Sequence, residues 1–217
     1  MAGLSKQDYG KSIARAYAES GYIAMVPVFD NSVSGQNAIA AAAAYSGTFY
    51  FALITGIVGS LLSAFDRLFD LGESEIGLCG ISSGAISALI CLNACPSISF
   101  GHLAGCPADI EKDVIRRRTS TANASEIYFL VPFQMWQRFS VKKMIYQASI
   151  RPLLIEVGLF DLITGRLGRK SIESSDNGTG FHPNGEGCFH YHSGGHEFSG
   201  ILAIEKISEM LGDKRCE

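Results

Sequence analysis

The sequence predicts an α/β fold, a mostly parallel sheet flanked by helices, and three observations carry that expectation. Short apolar runs of strand length alternate along the chain with stretches of helical periodicity. The strand-like runs are apolar throughout rather than alternating, as strands buried on both faces are. Of the 217 residues, 47% are hydrophobic and 18% charged, which is enough apolar material for one sizeable core.

Taken in order, "KQDYGKSIARAYAES" at 6–20 places Tyr9, Ile13, Ala16 and Tyr17 at helical spacing and stops at Gly21. "YIAMVPVF" at 22–29 reads as a short buried strand, and a long helical region follows with its main part near 46–70. "EIGLCGI" at 75–81 is a strand, and "SGAISALICLNA" at 83–94 a helix of small residues. "ISFGHLAGC" at 98–106 is the next strand, and "RPLLIEVG" at 151–158 the clearest one. A polar, Gly-rich loop at 174–187 precedes a final strand, "CFHYHSG" at 188–194, and a closing amphipathic helix at 200–211. The expected organisation is a single domain over 1–217, with the less regular 107–149 region as a cap or lid insertion.

The formal net charge is −3, so the chain lacks the basic footprint of a nucleic-acid binder, and "RRR" at 116–118 reads as a solvated face. Six cysteines with no CxxC pair read as reduced thiols packed as small hydrophobes, which points to the cytoplasm. The opening "MAGLSKQDYGKS" has no apolar run after a basic one, so no signal peptide is expected. Between Asp30 and Asp66 there is no charged residue, and residues 48–65 are long enough to be weighed as a membrane span. Thr55, Gly56, Gly59, Ser60 and Ser63 inside the run, and the absence of flanking Lys/Arg clusters, favour a helix buried against the sheet.

The chemistry centres on Gly80-Ile81-Ser82-Ser83-Gly84, a G-x-S-x-G. The pentapeptide alone is weak, but a strand ends at it and a helix begins directly after it. Such a strand-to-helix elbow exposes the middle serine above the sheet, with glycines where side chains would collide. The Ser83 N–H then falls at a helix N-terminus, where it can stabilise an oxyanion. A serine nucleophile needs a base, and the base an orienting acid, both after later strands in the order Ser, acid, His. Asp161 follows the 151–158 strand and its glycine, and His196 follows the last strand in "SGGHEF".

These residues resemble a family. "GISSGA", "RPLLIEVGLFD" and "SGGHEF" are similar to the three catalytic segments of the α/β-hydrolase superfamily, closest to its dienelactone-hydrolase-like and esterase-like branch. "ARAYAESGYIAMVPVFD" at 14–30 resembles that family's first helix and following strand. The resemblance covers most of the chain outside 107–149. It implies Ser82 as nucleophile, Asp161 as acid and His196 as general base of a carboxylic ester hydrolase, with no cofactor and no metal. It also implies three further strands before the first helix, one of them central, which are not in this sequence; the expected fold is therefore a shortened one. Gly3 and Leu4 fall where the family's oxyanion loop would be, making Leu4 the candidate second donor beside Ser83.

Other readings stay open at this level. Ser82 can be a small residue required by close packing, and Asp161 the N-cap of a helix beginning "LITGRL". His190, His192 and His196 can be weighed as a zinc site, while His102 is assigned no role. Phe129, Phe133, Trp136 and Phe139 read either as an apolar substrate pocket or as one buried helical face. The expected partner is a small-molecule ester, with no nucleic acid and no membrane, and a homo-oligomer is left open. The alternative from another class is a non-catalytic or truncated binding and interaction protein of the same architecture.

Overall fold

The computed structural model of the chain describes residues 12–27, 32–69, 76–106, 140–161 and 181–212. Among the described residues four strands, β1 (Gly77–Ile81), β2 (Phe100–Ala104), β3 (Leu153–Gly158) and β4 (Gly187–His192), form one sheet in that order. Every pairing is parallel, with Ile81 opposite Ala104, Ala104 opposite Glu156, and Glu156 opposite His190. The described helices are α1 (Ile13–Glu19), α2 (Val33–Tyr45), α3 (Tyr50–Phe69), α4 (Ser83–Ala94), α5 (Val141–Ala148) and α6 (Ile201–Met210). The parallel, helix-flanked sheet expected from the apolar strand runs is therefore present.

Alternate strand residues point to opposite faces, and this divides the core. Leu103, Leu153, Ile155 and Val157 enter one cluster with residues of α3, α4 and α5. Phe100, Ala104 and Leu154 enter the other face, where Tyr17 of α1 and Ala203, Ile204 and Ile207 of α6 cover them. On α4, Ile86, Leu89 and Leu92 are fully buried, each side chain contributing about 1.5–3 kcal/mol of hydrophobic stabilisation. Helix α5 begins at Ser140, whose hydroxyl accepts from Lys143 N at 3.3 Å, and buries Val141, Met144, Ile145 and Ala148. Residues 140–149 of the 107–149 region thus join the main core; residues 107–139, with the Phe129, Phe133, Trp136 and Phe139 cluster, lie outside the described residues.

Two expectations are corrected. Residues 22–27 are not a strand: they pair with no described strand, and Ile23 is 69% exposed. An apolar run becomes a strand only where a sheet edge satisfies its backbone, and among the described residues β1 pairs with β2 alone. Helix α3 is not buried against the sheet either. It packs on α4 and α2, and of its twenty residues only Tyr50, Phe51 and Ile54 are buried. Its polar residues are accommodated internally: Thr55, Ser60 and Ser63 donate to the carbonyls of Phe51, Gly56 and Gly59 one turn back. By length and composition it is the one described helix able to cross a membrane.

Parallel pairing sends all four carboxyl ends to the same edge of the sheet. The segments that follow β1, β2, β3 and β4 meet there, and they carry Ser82, Gly105, Asp161 and His196.

Candidate active site

Ser82 sits between the last residue of β1 and the first of α4, with φ 56° and ψ −120°. A non-glycine residue in this sparsely populated region costs on the order of 1–3 kcal/mol, held in place by its surroundings. Here the hold is identifiable. Ser82 N donates to Ala104 O of β2 at 3.0 Å, and Ser82 O accepts from Ala85 N and Ile86 N to start α4. A serine in this position ordinarily caps its helix, yet the Ser82 side chain makes no capping hydrogen bond. The hydroxyl is thus not committed to the helix that follows it, while Ser83, as first residue of α4, presents its N–H at the helix N-terminus.

The two motif glycines differ. A Cβ on Gly80 would lie 2.3 Å from Gly84 O, so the strand and the incoming helix touch backbone to backbone there. A Cβ on Gly84 would meet no described atom within 4 Å, which corrects the expectation that both glycines avoid a collision. Among the described residues the close approach belongs to Gly80 alone.

Asp161 and His196 are brought together from the ends of β3 and β4. His196 Nδ1 and Asp161 Oδ2 are 2.8 Å apart, with side-chain exposures of 11% and 3%. The two loops are stitched by backbone: Leu159 N donates to His192 O at 2.9 Å and Phe160 N to Gly194 O at 3.0 Å. Asp161 N closes its own turn onto Gly158 O at 3.1 Å. A Cβ on Gly158 would stand 2.0 Å from Gly195 O, so only glycine lets the acid-bearing turn and the histidine-bearing loop meet.

Ser82 stands one strand away from this pair. A hydrogen bond from Ser82 Oγ to His196 is not among the contacts of the described residues; β2 is what joins them. The residue after Ala104 is Gly105, at φ 54°, and a Cβ on it would lie 2.6 Å from His196 Cε1 and 2.8 Å from Nδ1. The imidazole therefore rests on the Gly105 backbone, immediately beyond the strand end that fixes Ser82. Sequence reading passed over Gly105, whose only local signal is a glycine directly after a strand. Leu4 and the helix proposed to start after Asp161 lie outside the described residues.

The histidines of β4 do not converge with His196. His190 and His192 stack on each other with ring centroids 6.4 Å apart, and His192 Nδ1 accepts from Gly194 N at 3.1 Å. Among the described residues no group of three His, Cys, Asp or Glu is arranged to hold a metal ion.

A second polar cluster lies beneath the site. His102 Nε2 and Glu156 Oε1 are 2.5 Å apart and both side chains are fully buried. Burial alone would push His102 down, but the neighbouring Cys79 and the Glu156 carboxylate outweigh it and hold its pKa at about 10. Burial likewise opposes the Glu156 carboxylate, and the hydrogen bond and charge of His102, with the Ser199 amide, keep its pKa below the ordinary value. The pair is accordingly charged at neutral pH. Sequence reading gave neither residue a role, because each is a single polar residue inside an apolar strand.

No family model matches the chain, and no curated protein matches it. Among solved structures it is similar to the esterase Pf2001 of Pyrococcus furiosus in two crystal forms. These are 18% and 17% identical, with TM-scores of 0.48 and 0.46, covering 72% and 68% of this chain and 58% and 55% of the esterase. It is also similar to MGS-MChE2, an alpha/beta hydrolase from the metagenome of sediments of the lagoon of Mar Chica, Morocco. That protein is 18% identical, with a TM-score of 0.43, covering 73% of this chain and 68% of that one. The chain spans little more than half the length of the Pyrococcus esterase.

Proposed function

We propose that the chain is a serine hydrolase of the α/β-hydrolase type that cleaves a small carboxylic ester. One observation carries this reading: a serine with an unfavourable backbone and an uncommitted hydroxyl lies across Gly105 from a hydrogen-bonded Asp161–His196 pair. In this reading His196 Nε2 takes the Ser82 proton as Oγ attacks the ester carbonyl. The tetrahedral oxyanion is met by the Ser83 N–H, with Leu4 as the proposed second donor. Collapse expels the alcohol with the proton from His196 and leaves Ser82 acylated. A water, deprotonated by His196, then attacks the acyl carbon; the acid departs and Ser82 regains its proton. Asp161 keeps Nδ1 protonated and stabilises the imidazolium, so that Nε2 is the basic nitrogen. Catalysis drawn this way needs no cofactor or metal. Five free cysteines among the described residues support a reducing, cytoplasmic setting.

Hydrolysis of p-nitrophenyl esters of short and long acyl chains tests the assignment. The wild type should turn over at least one of them, and Asp161→Asn should lose about 10⁴-fold in kcat while unfolding at nearly the same temperature, because the wrong imidazole tautomer is held. Hydrolysis that survives Asp161→Asn in a folded protein would remove Asp161 from the mechanism.

A further inference from the structure

Behind the site, on the sheet face covered by α1 and α6, Glu156 is the centre of a polar chain, buried at Glu156, His102 and Tyr17, that the proposed reaction does not use. His102 Nε2 bonds Oε1 at 2.5 Å, and the Ser199 backbone N–H donates to Oε2 at 2.6 Å. His102 is fixed in turn from α1, where Tyr17 OH lies 2.8 Å from Nδ1, with Cys79 Sγ of β1 at 3.5 Å. From β4, His192 Nε2 stands 3.9 Å from Oε2, and His190 pairs in register with Glu156. The rings of Tyr17 and Phe198 close around His102.

A buried ion pair is a poor way to stabilise a core, since removing two charges from water offsets most of their attraction. What an apolar pair could not supply is the bond to Ser199. That amide lies three residues after His196, at the far end of the loop that carries it. The near end is held by Phe160 N on Gly194 O, from the turn that carries Asp161. His196 is thus suspended between two anchors, one at Gly194 and one at Ser199, and Glu156 forms the second. Because Glu156 is ionised, that bond is charge-assisted and about twice as strong as a neutral one.

We propose that Glu156 is a positioning residue: held by His102 and Tyr17, it fixes the loop end at Ser199 and so keeps the His196 imidazole over Gly105, against Asp161. The proposal rests on the reading of Ser82 and His196 as nucleophile and base. Its test is inactivation by a fluorophosphonate, with maximal rate (kinact) and probe affinity (KI) measured separately. Wild type, Glu156→Gln and Tyr17→Phe are compared over a range of pH, well below their unfolding temperatures. Misplacing the base by a fraction of an ångström to an ångström should lower kinact of Glu156→Gln by about ten- to a hundredfold with KI unchanged. Tyr17→Phe should show a smaller loss of the same kind. In a His196→Ala background Glu156→Gln should add nothing, since there is no imidazole left to place.

Wild-type kinact in folded Glu156→Gln and Tyr17→Phe would overturn the positioning role and leave the nucleophile and base intact, and so would a full additional loss in the His196→Ala background. A wild type that the probe does not modify would overturn the nucleophile and, with it, this role. Should Glu156→Gln fail to fold, Tyr17→Phe, which removes one hydroxyl, decides the question by the same criteria.

Discussion

Gly105 lies directly against the His196 imidazole: a Cβ added to it would stand 2.6 Å from Cε1 and 2.8 Å from Nδ1. It also has φ 54°, where a side chain is unfavourable whatever the space. Gly105→Ala should therefore destabilise the fold by about 1–3 kcal/mol and displace His196. Ester hydrolysis by the folded variant should fall at least about tenfold. Steady-state kinetics beside urea unfolding separate the two effects. Unchanged kcat would mean that His196 does not act from its place on Gly105.

The glycines of the elbow should respond differently from each other. Gly80→Ala drives a Cβ to 2.3 Å from Gly84 O, backbone that cannot yield, and overpacking of this kind costs about 1–3 kcal/mol or more. Gly84→Ala meets no described atom and replaces a glycine inside α4, so it should be neutral or stabilising by up to about 1 kcal/mol. Chemical unfolding of the two variants side by side checks this. Equal losses would mean that the contact between Gly80 and Gly84 does not set the elbow.

The strain at Ser82 makes a separate prediction. Glycine adopts φ 56° freely whereas alanine does not, so Ser82→Gly should be more stable than Ser82→Ala by about 1 kcal/mol, although both should abolish the proposed acylation. Urea unfolding curves report the difference directly. An alanine variant as stable as the glycine variant would argue that the Ser82 backbone is relaxed.

The buried pair should govern stability against pH. His102 is raised in the folded chain to about 10 from an ordinary value of 6.5. Its contribution is then complete below pH 6.5 and is lost as pH rises toward 10. Glu156 is lowered, so its contribution is present above its ordinary value and is lost as pH falls through the folded one. The melting temperature of the wild type should decline from pH 6.5 to 10, and Glu156→Gln should lessen that decline by removing one of the two groups, with Cys79, that hold the imidazolium. Parallel slopes in the two proteins, followed by thermal melts, would place the titration elsewhere.

Strand β1, the turn at Ser82 and α4 were legible because an apolar run, a G-x-S-x-G and a small-residue helix are all local signals, and α4 occupies the expected 83–94. The approach of Asp161 to His196 followed from both lying just past strand ends in a parallel sheet, where the carboxyl ends share an edge. Residues 22–27 are not a strand because no described strand lies beside them, and which strands become neighbours is something no local pattern encodes. Helix α3 was misplaced for a related reason: its apolar composition says that it seeks cover, not which element supplies it. Glu156 and Gly105 escaped notice since their partners, His102 and His196, are brought to them only by the sheet register.

Whether Ser82 is an activated nucleophile is tested most directly by the intact mass of the purified chain after exposure to a fluorophosphonate, with Ser82→Ala treated alongside. One adduct per chain is expected, mapped by peptide sequencing to Ser82, with none on the variant. An unmodified, folded wild type, or an adduct that persists in Ser82→Ala, would contradict that assignment.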